Sequence, residues 1–210
     1  MCDSANLASV STANVRSAVE LATALRDQLA AAQVRLVLVE SCTAGRVAAY
    51  LGLLPGISQW LCGSLVVYRS ASKSAWLGVP ASLLEDPQHG PVSPAASRWL
   101  AEAALERTPE ADLAVAITGD VGPGAPQKTD GCIFLAAAMR RCTAPHASAG
   151  ATAQASAAEW STIITEQQQH LSAAAPRDSS DMAARQARLD EAAQRALGFA
   201  LHAATLHCKP

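Results

Sequence analysis

Alternation of two kinds of segment is what most constrains this chain. Runs rich in Val, Leu and Ile at 34–39, 61–68, 113–118, 131–139 and 160–168 read as strands, and stretches with helical spacing lie around and between most of them. Strands interleaved with helices bury their faces best in a single sheet with helices on both sides. The expected fold class is α/β: a single three-layer α/β/α sandwich with a mixed, mostly parallel sheet. The run at 160–168 carries a polar stretch and belongs at an edge. The first helix is expected to be capped by Ser11 or Thr12 and to carry Val15, Val19, Leu21, Leu25 and Leu29 on one stripe. Short helices are expected at 44–54 and 70–77, the second closed by Gly78 with Pro80 beyond it. Ser93 should cap a helix to about Glu106, with Trp99, Leu100, Ala103 and Ala104 facing inward, and a long helix should occupy 179–207.

With 210 residues, half of them apolar and 16% charged, the composition is that of a globular chain able to bury a sizeable core. One domain over 12–207 accounts for it. A loose tail is expected at 1–11, and a flexible insertion of Ala, Ser, Thr and Gly at 143–159. A formal net charge of −2 leaves no basic footprint for nucleic acid. No basic-then-apolar leader is apparent, and no apolar run reaches the length of a spanning helix, so a cytoplasmic protein with no membrane partner is expected. The six cysteines form no C-x-x-C pair and read as reduced thiols. His202 and His207 are one residue too far apart for an i, i+4 metal pair, and no metal or cofactor is expected.

The strand at 34–39 stops at Glu40, and Ser41, Cys42, Thr43, Ala44 and Gly45 follow before the next helix. Such a turn can be an ordinary helix start with a Ser or Thr cap. It can also present a nucleophile and free backbone N–H groups to one small volume, the two requirements of acyl transfer.

Further along, Tyr68 ends a strand and Lys73 lies on the helix after it. A lysine partly desolvated by an apolar sheet can have a lowered pKa and act as a base, with a tyrosine relaying a proton; the plainer alternative is a surface Lys and a Tyr at the edge of the core. Ser70-Ala71-Ser72-Lys73 also matches S-x-x-K, but the S-D-N and K-T-G partners of the penicillin-recognising enzymes are missing. Gly119-Asp120-Val121-Gly122-Pro123-Gly124 follows a strand as a loop whose backbone could approach a ligand, or simply as a tight turn. Its spacing matches neither the dinucleotide fingerprint nor the P-loop. His89, before Gly90, is either a base or a turn residue.

Taken in order, these segments resemble the CinA C-terminal-domain family, named for competence and damage induction, whose members include stand-alone nicotinamide mononucleotide deamidases. The matching pieces are Glu40 to Gly45, Pro55-Gly56-Ile57-Ser58 with Trp60, and Gly63 with Val67-Tyr68 and Lys73. Leu77-Gly78-Val79, His89 to Ser93, Ile117-Thr118-Gly119 with Gly122-Pro123, and Lys128 with Gly131 complete the set. The resemblance implies a three-layer domain, usually oligomeric, that hydrolyses the carboxamide of nicotinamide mononucleotide to nicotinic acid mononucleotide and ammonia. It implies Ser41 as nucleophile, Lys73 as general base and Tyr68 as an aid to proton transfer. The Thr43, Ala44 and Gly45 turn would supply oxyanion donors, with Gly119 and Gly122 beside the substrate. An Arg near the last helix would complete the site, with Arg177 the best match and Arg185 the second choice. The chain departs from the family where Ala44-Gly45 replaces Gly-Gly and where Asp120-Val121 replaces an apolar pair. A carboxylate pointing inward there would repel a phosphate. Two rival functions follow from these departures: a non-catalytic nucleotide-binding or regulatory protein, and an amidase for another small amide.

Overall fold

Glu20 stands three residues after Ser17, and that spacing starts the first helix. Ser17 Oγ accepts from Glu20 N (3.2 Å) while Glu20 accepts from Ser17 N (2.6 Å), a reciprocal capping box. The computed structural model describes residues 16–88, 90–142 and 160–206. Its elements in chain order are α1 (Ala18–Ala32), β1 (Leu36–Glu40), α2 (Arg46–Gly52), a 3₁₀ turn (Ile57–Gln59), β2 (Leu61–Val66), α3 (Ser70–Leu77) and α4 (Ala81–Leu84). Then follow α5 (Pro94–Arg107), β3 (Leu113–Gly119), β4 (Cys132–Cys142), β5 (Trp160–His170) and α6 (Met182–Leu206). Ser17, not Ser11 or Thr12, is therefore the cap of α1; the latter two lie outside the described residues, as does the insertion expected at 143–159.

The five strands form one sheet in the order β2-β1-β3-β4-β5. The β1–β2 and β1–β3 pairs are parallel, while β3–β4 and β4–β5 are antiparallel, so four of the five strands point the same way. The strand at 160–170 lies at an edge, as its polar run predicts.

Side-chain alternation divides the sheet between two cores. Leu36, Leu38, Leu113, Val115, Ile117, Ile133 and Leu135 face α1, α2 and α6. Val37, Val39, Ala114, Ala116, Ala136 and Ala138 face α3 and α5. The second face is built largely of alanine on both sides, since α5 offers Ala101, Ala103 and Ala104. Small residues on both surfaces let helix and sheet backbones approach closely.

Two inward expectations fail at layer borders. Trp99 is 39% exposed because its ring lies along α3, with the indole N–H donating to Leu77 O (3.2 Å). Val19 is 46% exposed on the outer side of α1. Among the described residues no helix is long and apolar enough to cross a membrane.

The alanine layer has no room for larger side chains. Ala116→Leu is expected to overpack it and lower stability by about 1–3 kcal/mol, seen as a lower urea midpoint at unchanged slope.

Candidate active site

Parallel strands place their C-terminal ends together, and here β2, β1 and β3 bring Val66, Glu40 and Ile117 into register. The residues that follow those ends surround a cleft of about 400 Å³. Open α/β sheets bind ligands in this position.

Glu40 builds the floor. It is fully buried and folds its carboxylate back over the turn that follows. Oε2 accepts from Thr43 Oγ1 (2.8 Å), Gly45 N (2.9 Å) and Val47 N (3.1 Å), while Oε1 accepts from Ala48 N (2.9 Å) and Ser64 Oγ (3.1 Å). These bonds satisfy the N–H groups at the start of α2, which has no side-chain cap of its own. They also force a tight path: Ala44 and Gly45 both adopt left-handed backbone, with φ of 51° and 93°. Glycine does so freely, but alanine is strained there.

The turn leaves Ser41 at the cleft with its N–H still bonded to Ile117 O (3.1 Å). Lys73 reaches it from α3. Its side chain is buried, with Nζ 2.9 Å from Ser41 Oγ and 3.0 Å from Val67 O. Burial pulls the Lys73 amine below the ordinary lysine range, against a smaller opposing effect of the Cys42 sulfur. A neutral amine donates to Val67 O and turns its lone pair to the Ser41 hydroxyl, the arrangement of a nucleophile with its base. Cys42 also lines the cleft, but burial pushes its thiol up to about 12, so it stays protonated at neutral pH and Ser41 is the better nucleophile. The S-x-x-K pairing does not form, because the Lys73 amine goes to Ser41 and not to Ser70.

Tyr68 and Arg185 form the outer wall. Tyr68 lies two residues beyond β2 and is half exposed, and its hydroxyl receives a bond from Arg185 Nη2 (2.9 Å). Arg185 Nη1 donates to Gly122 O on the opposite wall. Arg177, the arginine expected first, is elsewhere. It is 86% exposed and holds Asp181 through its Nε (3.0 Å) and backbone N (3.2 Å) just before α6. Arg185, the second choice, lines the cleft because it lies one turn inside α6, on the face turned toward the glycine-rich loop.

Gly119 and Gly122 line the cleft, and Gly119 is required by packing. A Cβ there would lie 2.7 Å from both Cys132 O and Ile133 Cγ2. The oxyanion expectation needs correcting. The Gly45 N–H is taken by Glu40 and the Ala44 N–H by Ser41 O (3.2 Å), so within this turn only the N–H groups of Cys42 and Thr43 lie outside those bonds. His89 lies outside the described residues.

Two supports are not apparent from the sequence. Arg188, buried on α6, clamps Asp130 through two bonds (2.5 and 3.0 Å) and donates to Ala173 O (3.2 Å), tying the loop after β3 to the last helix. Its spacing of three from Arg185 puts both arginines on one helical face, which is the signal that could have found it. The second is Thr129, whose hydroxyl donates to Asp120 Oδ2 (2.5 Å).

The family described as "CinA C-terminal domain" matches residues 18–162. A "CinA-like protein" of Anaeromyxobacter sp. (strain K) is 47% identical over 113 residues, covering 53% of this chain and 27% of that protein. Another, of Mycolicibacterium vanbaalenii, is 44% identical over 102 residues, covering 48% and 24%. The chain thus spans about a quarter of the length of these curated relatives. In fold it is similar to the crystal structure of a competence or damage-inducible protein from Enterobacter asburiae, with a TM-score of 0.66 at 22% identity over 90% of this chain and 99% of that one.

Two measurements check this geometry. Ala44→Gly is expected to relieve the left-handed strain and raise stability by roughly 0.5–1 kcal/mol in chemical denaturation. For Lys73, the folded pKa lies below the unfolded one, so the unfolded chain binds the extra proton between the two. Wild-type stability should therefore rise with pH, relative to Lys73→Met, from the depressed folded pKa up to the ordinary lysine value, and stay level above it. Parallel stability curves for the two proteins across that window would contradict a desolvated amine.

Proposed function

The chain belongs to the CinA C-terminal domain family, and from that premise we propose that it is a metal-independent Ser/Lys amidohydrolase. Its proposed substrate is nicotinamide mononucleotide, converted to nicotinic acid mononucleotide and ammonia in cytoplasmic pyridine nucleotide salvage. The observation that carries the reading is the 2.9 Å approach of the buried Lys73 amine to Ser41 Oγ within the cleft.

In the proposed cycle Ser41 Oγ attacks the carboxamide carbon while neutral Lys73 takes the hydroxyl proton. The Cys42 and Thr43 N–H groups stand nearest in sequence to the developing oxyanion. Lys73 then hands its proton to the leaving nitrogen, the C–N bond breaks and ammonia departs, leaving an ester on Ser41. Water enters, Lys73 takes one of its protons, and the ester opens to the carboxylate as Ser41 regains a proton. Val67 O holds the amine in place throughout, through a bond that the neutral and the charged form can both donate. Tyr68 assists proton movement at the outer wall. Arg185 supplies the positive charge for the phosphate, exchanging its bond to Gly122 O for a phosphate oxygen.

Asp120 favours a second reading, in which the cleft accepts a different small amide, because its carboxylate lines the same cleft that must hold a phosphate. A panel of amides with and without a phosphate group separates the two. Purified protein incubated with nicotinamide mononucleotide should release ammonia and nicotinic acid mononucleotide in equal amounts. Ser41→Ala should reduce that rate by roughly a thousandfold or more. Wild-type turnover no faster than that of the Ser41→Ala protein would sink the amidase reading.

A further inference from the structure

Among the described residues three charged side chains line the cleft: Lys73, Asp120 and Arg185. The Lys73 amine is committed to Ser41 and Val67. The other two carry opposite charges and occupy different places. Arg185 stands at the outer wall against Tyr68. Asp120 follows Gly119, where β3 packs so closely on the reacting turn that a Cβ on that glycine would lie 3.2 Å from Cys42 Sγ. The negative charge of Asp120 is among the influences that push the Cys42 thiol up, which sets the carboxylate near the residue next to the nucleophile. One oxygen of Asp120 accepts from Thr129. Among the described residues the other oxygen takes no hydrogen bond, and no Lys, Arg or His forms an ion pair with the carboxylate.

We infer that Asp120 is a specificity-determining residue that selects carboxamides carried on a cationic ring over their neutral-ring counterparts. The inference rests on the proposed substrate class and deepens it. A pyridinium ring bears its positive charge in the ring that carries the amide, so the cation arrives with the reacting carbonyl and meets the free Asp120 oxygen. The phosphate lies at the far end of the same molecule and meets Arg185. The cleft is thus dipolar in the same sense as a zwitterionic pyridinium nucleotide. A phosphate placed against Asp120 would be repelled, so the carboxylate also fixes which end of the substrate enters first. After hydrolysis the new carboxylate stands near Asp120, and like-charge repulsion favours its release.

The test is calorimetric binding to the Ser41→Ala protein, in which nothing is consumed. The probes are nicotinamide mononucleotide and its 1,4-dihydropyridine form, which keeps the amide and phosphate but has a neutral ring. The cationic form should bind about fivefold tighter, as expected for a partly exposed charge pair. Adding Asp120→Asn, which can still accept the Thr129 bond, should bring the ratio to near one by weakening the cation alone. Adding Thr129→Val, which leaves the charge in place, should preserve the ratio. A ratio near one without Asp120→Asn, a ratio unchanged by it, or no binding of either nucleotide would overturn the inference. Turnover of the mononucleotide by wild type is scored separately. An Asp120-dependent ratio without turnover removes only the amidase reading, and turnover with no effect of Asp120 removes only this inference.

Discussion

The Glu40 carboxylate holds together the part of the molecule on which everything else in the cleft depends. A buried carboxylate is costly unless its oxygens are satisfied, and Glu40 meets three backbone N–H groups and two hydroxyls. In doing so it joins the end of β1, the start of α2 and the adjacent strand β2 through one side chain. The turn between β1 and α2 has no freedom left, and Ser41 is fixed at its first position. The same bonds take up the Gly45 N–H, one of the expected oxyanion donors. Rigidity at Ser41 and loss of a candidate oxyanion donor therefore have one cause.

Lys73 is a second buried ionisable group, held differently. Glu40 has five donors around it, whereas Lys73 has one hydroxyl and one carbonyl. That poverty of partners leaves the burial of its amine uncompensated, and desolvation without compensating charge disfavours the protonated form. A carboxylate beside Lys73 would steady the fold and spoil the base. The region thus separates its buried groups into one fully satisfied for architecture and one left under-satisfied for chemistry.

The last helix closes the design from the opposite side. Arg188 clamps Asp130 and so fixes the loop that follows β3, while Arg185, one turn earlier, reaches over that loop to Tyr68. Arg46 on α2 pairs with Asp190 (3.1 Å), so the reacting turn and the loop are both referred to α6. A segment more than a hundred residues from Ser41 thereby sets the width of the cleft.

Much of this was legible in the sequence. Apolar runs interleaved with helical segments dictate a layered α/β sheet, and all five strands fall where such runs occur. The family resemblance pointed to Ser41, Tyr68 and Lys73, and the fold brings them to one cleft because a hydroxyl just past a strand end and a lysine just past the neighbouring strand are carried to the same sheet end. The cap of α1 differs from the expected Ser11 or Thr12 because Ser17 alone of the three has a Glu three residues on, a capping-box spacing that the sequence already carries. Arg177 was the arginine expected first and Arg185 the second; Arg177 precedes α6, whereas Arg185 lies on the face of α6 turned toward the glycine-rich loop, and how α6 packs on the sheet decides between them. The use of Glu40 was invisible for the same reason, since its donors come from a turn, a helix and another strand. Composition and spacing thus determined the layers, and the resemblance of the ordered motifs to a known family singled out the candidate residues. Which groups stand close enough to react, and which N–H groups remain free, was decided by tertiary structure, because both depend on contacts between segments that the order of residues does not measure.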